Sequence, residues 1–251
     1  MSNTGCVFAP YLLPDDNVSN ITPGIGQLAE RSLHATLKEY LAQPGDRFEV
    51  KLGRYVIDIV RDDLLIEIQT RHLYALRPKL LRLLEEHEVR LVHPLPAERW
   101  IVREGRDGHV TRRKSPKRAA ACDIFSELVR VPDLAAHPNL TLEVLLIREE
   151  QHWRDDGQGS WRRGHWSLVD TRLLDVVESL VFAAPDDYLA LLPAELDNPF
   201  TNKQLAAAME TKVYITQKMT YTLSRMGLIE QCGKQGRSSL YRRLAVDVDK
   251  V

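Results

Sequence analysis

A mixed α/β fold, with a sheet flanked by helices and a small basic domain after it, is predicted by three observations. Apolar runs of strand period and of helix period alternate through residues 24–170, the pattern of a sheet covered by helices. Two β-branched runs at residues 55–60 and 64–70 flank Arg61-Asp62-Asp63, which reads as a β-hairpin. Charge is divided along the chain: residues 199–244 carry eight cations against Glu210 and Glu230, about +6, within a net charge of −1.

Length and composition bound the reading further. At 251 residues the chain exceeds the usual single domain of about 100–200, so two domains are expected. Hydrophobic residues at 44% and charged residues at 27% suit a globular chain with an ample core. Cys6, Cys122 and Cys232 are too far apart for a zinc site or a disulfide framework, which points to the cytoplasm. No run of about eighteen apolar residues occurs, and the first twenty residues lack a signal-peptide pattern, so no membrane partner is expected. Nothing calls for an organic cofactor.

Taken in order, residues 1–23 contain Pro10, Pro14 and Pro23 and read as an irregular arm. Residues 25–42 place Leu28, Leu33, Leu37 and Leu41 at helical spacing, with Glu30 at the edge of that stripe, before Pro44-Gly45 stops the helix. Residues 47–51 give a first strand and Gly53-Arg54 turns into the hairpin. Residues 73–88 form a leucine-faced helix that Pro78 starts or kinks. Residues 89–93 and 100–103 read as two strands across a turn at residues 94–96, residues 119–131 as a helix, and residues 140–148 as a strand. Residues 171–182 and 186–192 read as amphipathic helices linking to the last segment.

The hairpin holds the chemistry. Asp58 sits among aliphatics on one strand, and Glu67 and Gln69 share a face of the next, opposite to Ile66 and Ile68. Two carboxylates in apolar surroundings cost free energy unless something satisfies them, and a divalent cation would. Asp58, eight residues, then Glu67-x-Gln69 resembles the active-site hairpin of the PD-(D/E)XK nuclease superfamily, and the order helix, three strands, helix, strand over residues 24–104 resembles its core. Ile57 stands where that superfamily often has Pro, and Gln69 where it usually has Lys. The resemblance implies a restriction-endonuclease-like mixed sheet in which Asp58 and Glu67 bind Mg²⁺ or Mn²⁺. It further implies that Glu30 adds a carboxylate, Gln69 orients a water, and Arg71, Arg77 or Lys79 replaces the missing cation.

Two further stretches bear on nucleic acid. Residues 105–118 read as a loop carrying Arg112, Arg113, Lys114, Lys117 and Arg118, either a solvated run or a phosphate clamp. Trp153, Trp161 and Trp166 interleave with Arg154, Arg162, Arg163 and His165, either as packing beneath snorkelling cations or as a surface that stacks unpaired bases. In residues 199–244, Thr201 with Gln204 makes a capping box for one helix, residues 213–226 form a second that Gly227 ends, and two strand-like arms follow. This part resembles a winged helix-turn-helix. The resemblance implies that Tyr214, Gln217, Lys218 and Tyr221 face DNA, with Lys234 and Arg237 on the wing and Arg242 beside it.

The resulting expectation is a metal-dependent deoxyribonuclease, an endonuclease before an exonuclease, acting in DNA repair, recombination, or mobile-element or defence processing. DNA is its partner, with a nucleoid-associated cytoplasmic location. Cutting both strands needs two sites, so a homodimer belongs to that reading. The alternative is a DNA-binding regulator or accessory protein whose nuclease-like domain lost its chemistry with the lysine.

Overall fold

In the computed structural model, residues 31–244 are described. The arm at residues 1–23 and Glu30 lie outside them.

A mixed sheet of seven strands organises the chain, flanked by helices. Its strands are β1 (Arg47–Leu52), β2 (Tyr55–Arg61), β3 (Leu64–Ile68), β4 (Val89–Glu104), β5 (Val110–Lys114), β6 (Leu140–Arg154) and β7 (Ser167–Phe182). The order is β1-β2-β3-β4-β6-β7, with β5 paired to the distal half of β4. Strand β4 runs parallel to both β3 and β6, and the remaining neighbours are antiparallel. Between β3 and β4 the chain passes through a 3₁₀ turn (Leu73–Leu76) and helix α2 (Arg77–Leu83), whose first turn holds Pro78. The proline fits there because the first helical N–H groups have no partner within the helix.

Each face of the sheet buries its own apolar set. Helix α1 (Arg31–Leu41) lays Leu33 and Leu37 on Ile59, Ile66, Ile68, Val92, Leu145 and Ile147. The opposite face carries the larger core, where Ile57, Val60 and Leu65 meet Leu80 and Leu83 of α2 and Phe125 and Leu128 of α3 (Phe125–Leu128). That core continues through α4 (Pro132–Ala135) and α5 (Pro185–Leu189) into the C-terminal segment.

The C-terminal segment comprises β8 (Phe200–Thr201), α6 (Asn202–Ala208), α7 (Val213–Arg225), β9 (Ile229–Gln235) and β10 (Ser238–Arg243), with sheet order β8-β10-β9. Thr201 accepts the Gln204 N–H at 3.3 Å, and Gln204 Oε1 accepts the Thr201 N–H at 2.8 Å, which closes the expected capping box. Buried Thr216 and Thr220 of α7 donate to the carbonyl and side-chain oxygens of Asn202, pinning the two helices together. Leu205, Met219, Leu223 and Phe200 are fully buried in the larger core.

Several elements differ from expectation. Residues 171–182 are not helical but belong to β7, which pairs with β6 along its length. Three register shifts in that pairing break the period-two alternation and leave Leu174, Val177 and Val181 exposed, so the apolar positions imitate helical spacing. Residues 94–96 are not a turn: β4 is one strand of 16 residues. Pairing with β3 ends at Val92 and pairing with β5 begins at Trp100, so Pro94 and Pro96 lie where β6 is the only ladder neighbour. The expected loop 105–118 contains β5, which puts Arg112, Arg113 and Lys114 on a strand. The expected helix over 119–131 is a 3₁₀ turn (Ala121–Ile124) followed by one turn of α3. No helix among the described residues is long and apolar enough to cross a membrane.

Candidate functional site

The acidic hairpin forms as its residues require. Strands β2 and β3 pair at Arg61↔Leu64, Val60↔Leu65 and Ile59↔Ile66 around Asp62, whose φ of 49° is a left-handed conformation that Asp tolerates. Beyond Ile59 and Ile66 the ladder gives way to side chains. The Asp58 carboxylate accepts the Ile68 N–H at 2.9 Å. Alternation also slips at this point, since Ile57 faces the larger core while Ile59 faces α1. The two acids therefore occupy the place where β2 and β3 separate.

Each acid is paired with a cation. Asp58 meets His34 Nε2 and Lys38 Nζ, both at 3.3 Å, from successive turns of α1. Burial opposes its ionisation, but hydrogen bonds from His34 and the Ile68 amide, with the charges of His34 and Lys38, hold the carboxyl below its ordinary range. Glu67 is 3% exposed, with Lys79 Nζ of α2 at 2.6 Å. Lys79 also donates to the Val56 carbonyl at 2.6 Å. Burial dominates at Glu67 and pushes its carboxyl above the usual range in spite of Lys79, with the nearby Asp58 charge acting in the same sense.

Of the three cations expected to replace the missing lysine, Lys79 lies beside Glu67. Arg77 pairs with Asp133 at 2.7 Å instead. Gln69 lies just past β3, where its carboxamide donates to the Arg71 carbonyl.

The oxygens of Asp58 and Glu67 are hard donors of the kind Mg²⁺ takes, and one or two carboxylates with water suffice for that ion. Among the described residues no group of three His, Cys, Asp or Glu stands together. Asp58 meets cations of α1 and Glu67 a cation of α2, on opposite faces of the sheet, so an ion shared by the two acids would have to displace Lys38 and Lys79 and be completed by water.

Beyond Gln69 lies a polar cavity of about 200 Å³, lined in part by Arg71, His93, Arg99, Glu127 and Glu149. His93 is buried on β4, and its Nδ1 lies 2.6 Å from the Gln69 carbonyl, so that nitrogen carries the proton and donates. Burial lowers its pKa and keeps the ring neutral, leaving Nε2 as the acceptor nitrogen. Arg99 pairs with buried Glu149 across the β4–β6 register. His93, Arg99, Glu127 and Glu149 carry no expectation from sequence, whereas Arg71 does. For His93 a signal was present, a polar residue inside the apolar run 89–93 like Asp58 in its own strand.

The expected nucleic-acid contacts are spread over the surface. Arg112 pairs with Glu150 at 2.6 Å and lies 4.0 Å from the Trp100 ring centroid, while Lys114 pairs with Glu98 at 2.8 Å. Arg113, Lys117 and Arg118 are exposed, and the last two line a cavity of about 270 Å³ with His93, Arg99 and Ser126. On α7, Tyr214, Gln217 and Tyr221 are exposed, whereas Lys218 is half-buried and donates to Ser126 Oγ at 3.2 Å. Lys234 and Arg237 are exposed on the β9–β10 hairpin, and Arg242 pairs with Glu230.

The family model described as "Domain of unknown function (DUF8091)" matches residues 31–183, so the chain belongs to that family. A protein of Treponema pallidum (strain Nichols), described as uncharacterized, is 33% identical over 221 residues, 87% of each chain. A match of that length cannot fit within the first 183 residues, so this relative shares part of the C-terminal segment as well. No solved structure matches.

Proposed function

We propose that this member of the DUF8091 family is a metal-dependent nuclease acting on DNA, with Asp58 and Glu67 at its centre. The observation that carries the reading is the pair of acids, Asp58 half-buried and Glu67 buried, where β2 and β3 part. The order α1-β1-β2-β3-α2-β4, the order that the PD-(D/E)XK resemblance implies, supports it. Asp58 and Glu67 would hold the ion. When bound, it would lower the pKa of a coordinated water and offset charge building on the phosphate. Lys79, anchored on the Val56 carbonyl, supplies the fixed positive charge that Gln69 cannot. Asp58 is kept ionised by His34 and Lys38, ready as a ligand at neutral pH.

The C-terminal segment fits a winged helix-turn-helix: α6, a short turn and α7 precede the β9–β10 hairpin, and β8 pairs with β10. Tyr214, Gln217 and Tyr221 would then meet DNA, with Lys234 and Arg237 contacting phosphate.

The test is cleavage of labelled single-stranded, duplex and branched DNA, and of RNA, in Mg²⁺ or Mn²⁺. The parent cuts one of these, and Asp58→Ala and Glu67→Ala each lose at least about a hundred-fold in rate. A parent that cuts nothing, or alanine variants that cut as well as it does, overturns the reading. Lys38 and Lys79 already balance the two acids and the Gln69 carboxamide is turned to a backbone carbonyl, which favours a second reading: a DNA-binding accessory protein without hydrolysis. Under that reading the parent binds DNA equally with and without divalent ions.

A further inference from the structure

Three cavities that share lining residues follow one another beyond Gln69. The largest, about 650 Å³, is lined by Arg71, Trp161, Arg162, Arg163 and Trp166 among others. Arg71 also lines the 200 Å³ cavity, which shares His93, Arg99 and Glu127 with the 270 Å³ cavity bearing Lys117, Arg118 and Ser126. Ser126 in turn accepts the Lys218 hydrogen bond from α7. A track with cations at every stage thus runs from α7, past the loop that follows Gln69, to the Trp161 loop. Its acids each have a partner: Glu127 accepts the Leu73 N–H, Asp123 the Ala120 N–H, and Glu149 pairs with Arg99.

At the far end Trp161 is 76% exposed, with the Arg162 guanidinium 5.6 Å from its ring centroid. So large an apolar ring left in water, flanked by cations, offers a flat face for a partner that is itself flat and anionic. The loop is held rather than loose: Gly159 N–H donates to the His165 carbonyl at 3.0 Å, and both Arg163 and His165 N–H groups bond the Ser160 carbonyl. Arg163 lies over Trp153 and Arg103 over Trp166, at 5.3 and 5.0 Å from the ring centroids, which fixes the walls.

We propose that this track carries a single strand of nucleic acid, with an unpaired base stacked on Trp161 and its phosphates met by Arg162 and Arg163. The passage at His93 and Arg99 has room for a base or a stretch of backbone but none for a duplex. The inference rests on the nucleic-acid reading above and adds the strand state of the substrate.

Binding of a labelled oligo(dT) and of a duplex of equal length is measured by anisotropy in EDTA, on full-length protein carrying Asp58→Ala so that no cleavage intervenes. Trp161→Ala should weaken single-strand binding by about five- to a hundred-fold and leave duplex binding unchanged, with Trp161→Phe restoring most of the loss. The double variant Arg162→Ala with Arg163→Ala should lower the salt slope by about 0.7 per lost phosphate contact. Unchanged single-strand binding in Trp161→Ala, or an equal loss for the duplex, overturns the proposal. Equimolar competition by dTMP overturns it in favour of a free-nucleotide pocket. Cleavage lost in Asp58→Ala without any dependence on Trp161 keeps the nuclease and removes the track; the reverse pattern keeps the track alone.

Discussion

Replacing Lys79 by methionine isolates the electrostatics of the acidic hairpin from any catalytic role. Lys79 Nζ is 2.6 Å from a Glu67 carboxylate that is only 3% exposed. At that separation and an effective dielectric of about 20, the attraction amounts to about 6 kcal/mol before the cost of desolvating both ions. Deleting one partner of a buried pair typically costs about 3–5 kcal/mol, because the other is left charged and unpaired. Lys79→Met should therefore lose about 3–5 kcal/mol by urea denaturation at pH 8. The sign with pH follows from Glu67, whose pKa burial already raises. A carboxyl raised in the folded state supports folding at low pH and withdraws that support as pH rises through the folded pKa. Removing Lys79 raises it further, so the deficit should shrink at pH 5, and Lys79→Met with Glu67→Gln should recover much of it at pH 8. A deficit that is equal at the two pH values, or a double variant no better than the single, would refute the pairing as the cause.

Two further perturbations test other parts of the molecule. Thr201→Ala removes the capping box of α6 and should cost about 1 kcal/mol in chemical denaturation, with Thr201→Ser close to the parent; an alanine variant as stable as the parent would show that the cap contributes nothing. At Gly159 an added Cβ would come within 2.0 Å of the Trp166 carbonyl oxygen, so Gly159→Ala must displace the 158–166 loop; its tryptophan emission should shift while the cooperative unfolding of the body persists, and an unaltered spectrum would contradict the close approach.

The acidic hairpin was legible because a charged side chain inside an aliphatic alternation has few physical explanations, and Asp58 and Glu67 stand in just that position. The capping box at Thr201 and Gln204 was equally local and equally readable. What the sequence hid depends on distant partners or on broken periodicity. Glu149 meets Arg99 only because β4 and β6 run in parallel register, fifty positions apart. Strand β7 concealed itself through bulges that erase the two-residue repeat. The His34 and Lys38 pair on α1 lies between the two cases: its four-residue spacing marks one helical face, but only the fold turns that face toward Asp58.

The larger core has a mechanical corollary. Met219 and Leu223 of α7 are packed in the same apolar cluster as Leu80 beneath the sheet, which ties α7 to the core that the strands carrying the acids also share. On the nuclease reading proposed above, a polymer gripped at Tyr214 and Tyr221 would reach the acids across that shared core, so its products should cluster in size.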